Sequence, residues 1–241
     1  MIPYWMSRTQ LMLGEELLEK LRKQNVLVVG LGGVGGICAE MLVRAGIGKL
    51  TIVDNDVVDL SNINRQIPAL HSTSKQPKAK VLAARLKDIN PEIDLNVLEI
   101  FIEAELTTQL LDKEKWDYVI DCIDTLSAKV FLIKCAIDRS LPIVSSMGAG
   151  GKIDPSQIEV ADIAQTHECN LARYVRKRLH SLGIKTGFKV VYSAEKVDQT
   201  KIIVTEKAYP KKSLIGTISY MPAIFGCTVA SVVIRDLMAK D

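Results

Sequence analysis

The segment Gly30-Leu31-Gly32-Gly33-Val34-Gly35 follows the apolar run 25–29 (NVLVV) and precedes a stretch with helical spacing, 34–45. A G-x-G-x-x-G turn in that position demands a strand feeding directly into a helix, because the glycines allow a tight reversal that side chains would block. The same alternation continues. Apolar runs at 50–53, 95–100, 118–120 and 142–145 predict strands, and 76–89, 104–111 and 126–139 predict helices. Strands alternating with helices imply a parallel sheet covered on both faces. The expected fold class is α/β: a Rossmann-like, doubly wound, mostly parallel sheet over 25–150. Residues 151–241 read as a less regular half, with a basic helix and possible strands at 188–193 and 201–205. A length of 241 residues suits a single unit spanning 1–241.

Gly30, Gly32, Gly33 and Gly35 form a turn whose backbone can approach a phosphate at a helix N-terminus. Asp54 closes the second strand at the spacing of a ribose-hydroxyl acceptor. These features alone leave NAD, FAD and ATP open, so an NAD-dependent oxidoreductase is a rival reading. A bare nucleotide-binding scaffold is another.

Beyond Asp54 the chain reads Asn55-Asp56-Val57-Val58-Asp59-Leu60-Ser61-Asn62-Ile63-Asn64-Arg65-Gln66, then Pro77-Lys78-Ala79-Lys80 and Asp121-Cys122-Ile123-Asp124. Together with the glycine turn, this block resembles the ubiquitin-activating-enzyme-like superfamily of adenylating proteins over roughly residues 8 to 150. The resemblance implies that ATP and Mg2+ are bound and that a carboxylate is adenylated with release of pyrophosphate. Two anions must meet in such a step, so cations and donors are needed around the reacting phosphate. The resemblance places Arg65 and Lys78 on the phosphates, Asn62 and Gln66 as orienting groups, and Asp124 as the magnesium ligand. Asp121 is expected to orient its neighbours, and Asp56 and Asp59 to shape the loop. A helix N-cap is the competing role for Asp124. By analogy with related dimers, Arg8 would reach into the ATP site of a second copy, implying a homodimer.

Three subfamilies share that first half. Sulfur-carrier adenylating proteins usually carry two C-x-x-C pairs, and this chain has none. Ubiquitin-activating enzymes are far longer. The third subfamily, the tRNA threonylcarbamoyladenosine dehydratases, is resembled over nearly the whole chain. The matching segments are Ser7-Arg8-Thr9-Gln10-Leu11, 145–152 (SSMGAGGK), Asp154-Pro155, Leu171-Ala172-Arg173, Val175-Arg176-Lys177, 216–220 (GTISY) and Phe225-Gly226. That resemblance implies ATP-dependent cyclisation of the modified adenosine in tRNA, with 151–241 as the substrate-binding and dimerisation half. Activation of a ubiquitin-like sulfur carrier is the alternative.

The net charge of +3 says little about nucleic acid, but its distribution says more. Residues 169–192 hold six cations and no acid, so the remainder is mildly acidic. On a helix, Arg173, Arg176 and Lys177 share the face opposite Leu171, Val175 and Leu179. They are the candidate tRNA contacts. Of the five cysteines, Cys38, Cys122, Cys135 and Cys227 read as small core residues. Cys169, in the polar run His167-Glu168-Cys169-Asn170, leaves two readings open. One is a core residue, and the other an accessible thiol suited to a sulfur-transfer protein of the cysteine desulfurase system. Asn170 is the expected N-cap of the basic helix. Unpaired cysteines and the lack of a secretory pattern at the start predict a cytoplasmic protein. The uncharged segment 213–234 is long enough to span a bilayer. Its glycines, proline and hydroxyls favour a buried strand–turn–helix without stable membrane insertion.

Overall fold

The computed structural model describes residues 2–198, 200, 202–204 and 213–239. Two short helices, α1 (Ser7–Leu13) and α2 (Glu15–Arg22), precede β1 (Asn25–Val29). The chain then alternates through α3 (Gly35–Ala45), β2 (Lys49–Val53), α4 (Lys78–Ile89), β3 (Asp94–Leu98) and α5 (Ala104–Asp112). It continues with β4 (Tyr118–Asp121), α6 (Leu126–Asp138), β5 (Ile143–Ser146), β6 (Ile158–Asp162), α7 (Asn170–Ser181) and β7 (Lys189–Ser193). A small antiparallel pair, β8 (Ile202–Val204) and β9 (Ser213–Ile215), leads into α8 (Tyr220–Ala239). Positions 201 and 205 of the strand expected there lie outside the described residues.

The main sheet has seven strands in the order β3-β2-β1-β4-β5-β7-β6, and every neighbouring pair but the last is parallel. The doubly wound α/β expectation is met. All five residues of β1 are buried, as a central strand covered on both faces requires. Helices α2, α3, α4 and α8 cover one face and α5, α6 and α7 the other. The sheet does not stop near residue 150, because β5 pairs with β7 and β7 with β6. Strand order reverses between β1 and β4. In such folds the crevice beyond the strand ends at that point collects ligands.

The uncharged segment adopts the expected order of strand, connection and helix, but Ile215 at the strand end and Ile218 before the helix are exposed rather than buried. Among the described residues α8 is the one helix long and apolar enough to cross a membrane, with half of its apolar window buried. That buried side, including Phe225, Val229 and Val233, packs along α3. Two cysteine assignments are corrected. Cys169 is buried, walled in by the core beneath α7, so the accessible-thiol reading fails there. Cys227 is exposed on the outer side of α8 rather than buried. The N-cap of α7 is Cys169, and Asn170 is the first helical residue.

Candidate active site

A cleft of about 710 Å³ opens at the C-terminal ends of β1, β2 and β4. Gly30 starts it at φ +88°, a conformation that side chains disfavour. A Cβ there would also lie 2.8 Å from the Cys122 carbonyl. Gly32 is different, since a Cβ on it would meet nothing nearer than Gln66 Nε2 at 3.7 Å. Any side chain at Gly32 would therefore occupy the cleft itself, as in a turn that lets a ligand approach the backbone. Gly33 and Gly35 lie behind the lining. Gly33 packs against Pro222 at the start of α8, and Gly35 against the Gly30 carbonyl.

Asp54 anchors the turn. Its Oδ2 accepts from Leu31 N at 2.6 Å and its Oδ1 from Asp56 N at 2.8 Å. Burial pushes its carboxyl pKa up, and the two backbone amides offset only part of that rise. A carboxylate oxygen carries more than one lone pair, so both remain able to accept further.

The loop after β2 brings the polar block to the rim. Asp59 caps its short 3-10 turn, accepting from Ser61 N at 2.8 Å, and Asn62 Oδ1 accepts from Asp59 N at 3.3 Å. Arg65 donates to the Ser61 carbonyl at 2.9 Å and to Asn64 Oδ1 at 2.7 Å. Lys78, at the first turn of α4, is buried and pairs with Asp56 Oδ2 at 2.8 Å. Asp56 is thus more than loop structure, because it holds the lysine in place. Gln66 is buried against the same wall, and its Oε1 has no partner within the protein. That oxygen is sealed inside the wall, while Gln66 Nε2 lies on the side of Gly32 and is the atom placed to donate toward the cleft.

Beyond β4 the loop 122–125 forms the opposite wall. Asp121 accepts from Ile123 N at 3.0 Å and from Ser145 Oγ at 2.5 Å, and pairs with Lys129. It orients neighbours, as expected. Asp124 lines the cleft three residues past the strand end, and Thr125, not Asp124, is the N-cap of α6. Burial, with Asp121 adding to it, pushes the Cys122 thiol up to about 12, so this cysteine is no nucleophile near neutrality.

The cleft therefore unites Gly30, Gly32, Asp54, Asn62, Arg65, Gln66, Lys78 and Asp124. Arg8 is not among them; it sits exposed on α1. On α7, Arg173 and Lys177 are exposed, whereas Arg176 is half-buried and donates to the carbonyl and hydroxyl of Thr166. The Arg176 assignment is corrected accordingly: its guanidinium serves the fold at least as much as the surface. The sequence reading missed the loop after β3, where Ile100, Phe101 and Ile102 form an apolar wall that ends at Glu103, with Phe101 40% exposed at the mouth. Only its position at a strand's C-terminal end could have marked it.

The ThiF family model matches residues 6–241. The tRNA threonylcarbamoyladenosine dehydratase of Bacillus subtilis is 40% identical, covering 98% of this chain and 94% of the relative. A crystal structure of the Escherichia coli tRNA N6-threonylcarbamoyladenosine dehydratase in complex with ATP superposes with a TM-score of 0.86 at 35% identity. That match covers 97% of this chain and 93% of that one. The E. coli sulfur carrier protein ThiS adenylyltransferase is 33% identical but aligns with only 56% of this chain. The resemblance to sulfur-carrier activation thus extends over little more than half the chain, and the resemblance to the dehydratases over nearly all of it. The chain belongs to the ThiF family and, within it, to the tRNA threonylcarbamoyladenosine dehydratases.

Proposed function

We propose that the protein is an ATP-dependent tRNA threonylcarbamoyladenosine dehydratase. The observation that carries this is a full-length dehydratase match joined to a cleft that gathers Arg65, Lys78 and Asp124 around an open glycine turn. A carboxylate oxygen of the threonyl group attacks the α-phosphorus of ATP, and pyrophosphate leaves. A nucleophile within the same modified base then attacks the activated carbonyl, AMP departs with the carboxylate oxygen, and a ring closes. That second step needs no enzyme nucleophile, since attachment supplies proximity.

In this reading the glycine turn and the start of α3 receive phosphate, and Asp54 accepts from the ribose. Asn62 and Gln66 orient the polyphosphate. Arg65 and Lys78 balance charge as the two anions meet, each exchanging a present partner (Asn64 or Asp56) for ligand oxygen. The cleft lining holds five carboxylates (Asp54, Asp56, Asp59, Glu103 and Asp124) against those two cations. Such a surplus is poorly matched to a polyphosphate alone. It suits a divalent cation carried in with ATP and a further cation supplied from outside the chain. Asp124 would hold Mg2+, which needs one or two carboxylates beside phosphates and water and supplies charge neutralisation at the phosphates. Among the described residues, no three acidic, histidine or cysteine groups are placed to hold a metal ion on their own. Arg8 from a second copy would add the missing cation, making the working unit a homodimer. The exposed apolar side chains of Tyr4, Leu11 and Met12 beside it suit burial against that copy.

Arg173 and Lys177 would contact tRNA phosphates. For a sulfur-transfer partner the accessible thiol is Cys227 and not Cys169. We read residues 1–241 as one adenylation unit, supported by the continuous sheet across residue 150, and place it in the cytoplasm with its tRNA substrate. The test is ATP-to-AMP conversion with tRNA carrying or lacking the threonylcarbamoyl group. AMP and pyrophosphate are expected only with the modified tRNA. Turnover indifferent to the modification, or stimulated by a ubiquitin-like carrier instead, overturns the reading.

A further inference from the structure

A second cavity of about 550 Å³ lies beside the nucleotide cleft, within the size range of small-molecule sites. Three segments and Asn64 wall it: the segments are Gly151–Ile153 beyond β5, the stretch after β7 that includes Glu195 and Lys196, and Gly216–Ser219 ahead of α8. Internal bonds hold these walls in place. Gly151 N donates to the Gly216 carbonyl at 2.8 Å. The Glu195 carboxylate accepts from Ile153 N and Asp154 N, each at 2.9 Å. Lys152, almost wholly buried, spends its ammonium on the carbonyls of Glu168 and Ser193, both at 3.2 Å, and of Glu195. Tyr220 Oη closes the rim by donating to the Ile153 carbonyl at 2.8 Å.

The two cavities share one thin partition. Arg65 lines the nucleotide cleft and donates to Asn64 Oδ1; Asn64 lines the second cavity and donates through Nδ2 to the Thr217 carbonyl at 2.9 Å. Just past Thr217, Pro222 rests on Gly33 of the phosphate turn. A molecule in the second cavity thus sits one residue layer from the phosphate end of the first. The accessible lining is mainly apolar, with Ile153 64% and Ile218 41% exposed. Thr217 Oγ1 donates to the Ile215 carbonyl at 3.1 Å and keeps its acceptor capacity. Apolar faces with a few edge-on polar groups are what an unstacked base requires.

We propose that this cavity receives the extruded, N6-substituted purine of the tRNA, with the carboxylate of its substituent directed past Asn64 toward Arg65. This assignment rests on the function proposed above and identifies where the acceptor half of the reaction is held.

The test is calorimetric titration of the full-length protein with the free nucleoside N6-threonylcarbamoyladenosine while AMP saturates the nucleotide cleft. One-to-one saturable binding is expected. Ile153→Asp sets a charge on an exposed apolar wall, and Thr217→Trp fills the space. Each should weaken nucleoside binding by about tenfold or more while changing AMP affinity less than about twofold. Because Ile153 is largely exposed, its variant decides the matter if Thr217→Trp does not fold. Absence of nucleoside binding beside AMP, binding undiminished in Ile153→Asp, or loss in step with AMP affinity overturns the assignment. The wild-type ATP-to-AMP assay is read separately. Failure there with nucleoside binding intact removes the adenylation reading and leaves the cavity assigned, whereas turnover without nucleoside binding does the reverse.

Discussion

Lys129 Nζ lies 2.7 Å from Asp121 Oδ2, and neither side chain touches solvent. The ammonium also donates to Ser145 Oγ and the Ser146 carbonyl, so all three of its protons are placed. Removing one partner would leave a buried charge unpaired, at a cost of about 3–5 kcal/mol. Lys129→Met should lose that much in urea unfolding, and adding Asp121→Asn should restore part of it. A single-variant loss below about 1 kcal/mol would contradict a sealed ion pair.

Lys78 faces a different choice, because its partner Asp56 is 63% exposed and on the rim of the cleft. Lys78→Met should cut AMP formation by about a hundredfold, a typical loss when one charge-stabilising group is removed. Asp56→Asn should spare turnover and tighten ATP binding a few-fold, since the lysine no longer has to leave a carboxylate. Weaker ATP binding in Asp56→Asn would mean that the pair is needed intact.

Arg8 lies outside the cleft of its own chain, and a mixing experiment separates the two ways it could act. Arg8→Ala and Lys78→Met are each expected to keep only a small residual activity alone. In an equal mixture that exchanges subunits, half the dimers combine one intact cleft with one intact Arg8, and about a quarter of the sites regain function. An arginine acting within its own chain would give no recovery.

The exposed part of the basic helix should bind phosphate without reading sequence. Replacing Arg173 and Lys177 by Glu is expected to weaken tRNA binding and to flatten its dependence on salt, because fewer counterions are released. Gel-shift titrations across a salt series measure both. Arg176, tied to Thr166, should instead lower the melting temperature when changed to Ala.

A pH effect follows from Glu40, which bridges α3 and α4. Burial alone would push its carboxyl up, but hydrogen bonds from Arg85, at 2.6 Å, and Arg44, at 2.9 Å, outweigh this and hold it below its ordinary value. A carboxyl lowered on folding stabilises the fold above its unfolded pKa of about 4.3. That contribution is lost as the pH falls through the folded value. Glu40→Gln should therefore reduce the melting temperature by about 2–6 °C at pH 7 and leave it nearly unchanged at pH 3. Equal effects at both would exclude the linkage.

Some of these features could be read from the chain before it folds and some could not. β1 and the glycine turn are legible because an apolar run against a G-x-G-x-x-G spacing admits few alternatives, and Asp54, Arg65 and Lys78 follow in a block with its own signature. β6 leaves no such trace: Ile158–Asp162 is an edge strand with Glu159 and Val160 both exposed, so neither alternation nor a continuous apolar run marks it. The buried lysines are hidden for a different reason. Nothing near Lys129 or Lys152 in sequence announces a partner, because Asp121 and Ser145 come from β4 and β5, and the carbonyls around Lys152 from the stretch ahead of α7 and from the end of β7 with the residues just after it. The misjudged cysteines share that cause. Cys227 lies in the most apolar stretch yet falls on the outer stripe of α8, and Cys169 lies in a polar run yet points beneath α7.

The contact between Gly33 and Pro222 also bears on how the protein is made. Ribosomes deliver a chain from its N-terminus, and early elements can fold while later ones are still being added. Here the phosphate turn is made well before the proline that backs it, which belongs to α8, the last helix among the described residues. A nascent chain can assemble β1, β2 and α3 long before that support exists. The phosphate turn is therefore expected to reach its final packing only after α8 has been made and has docked.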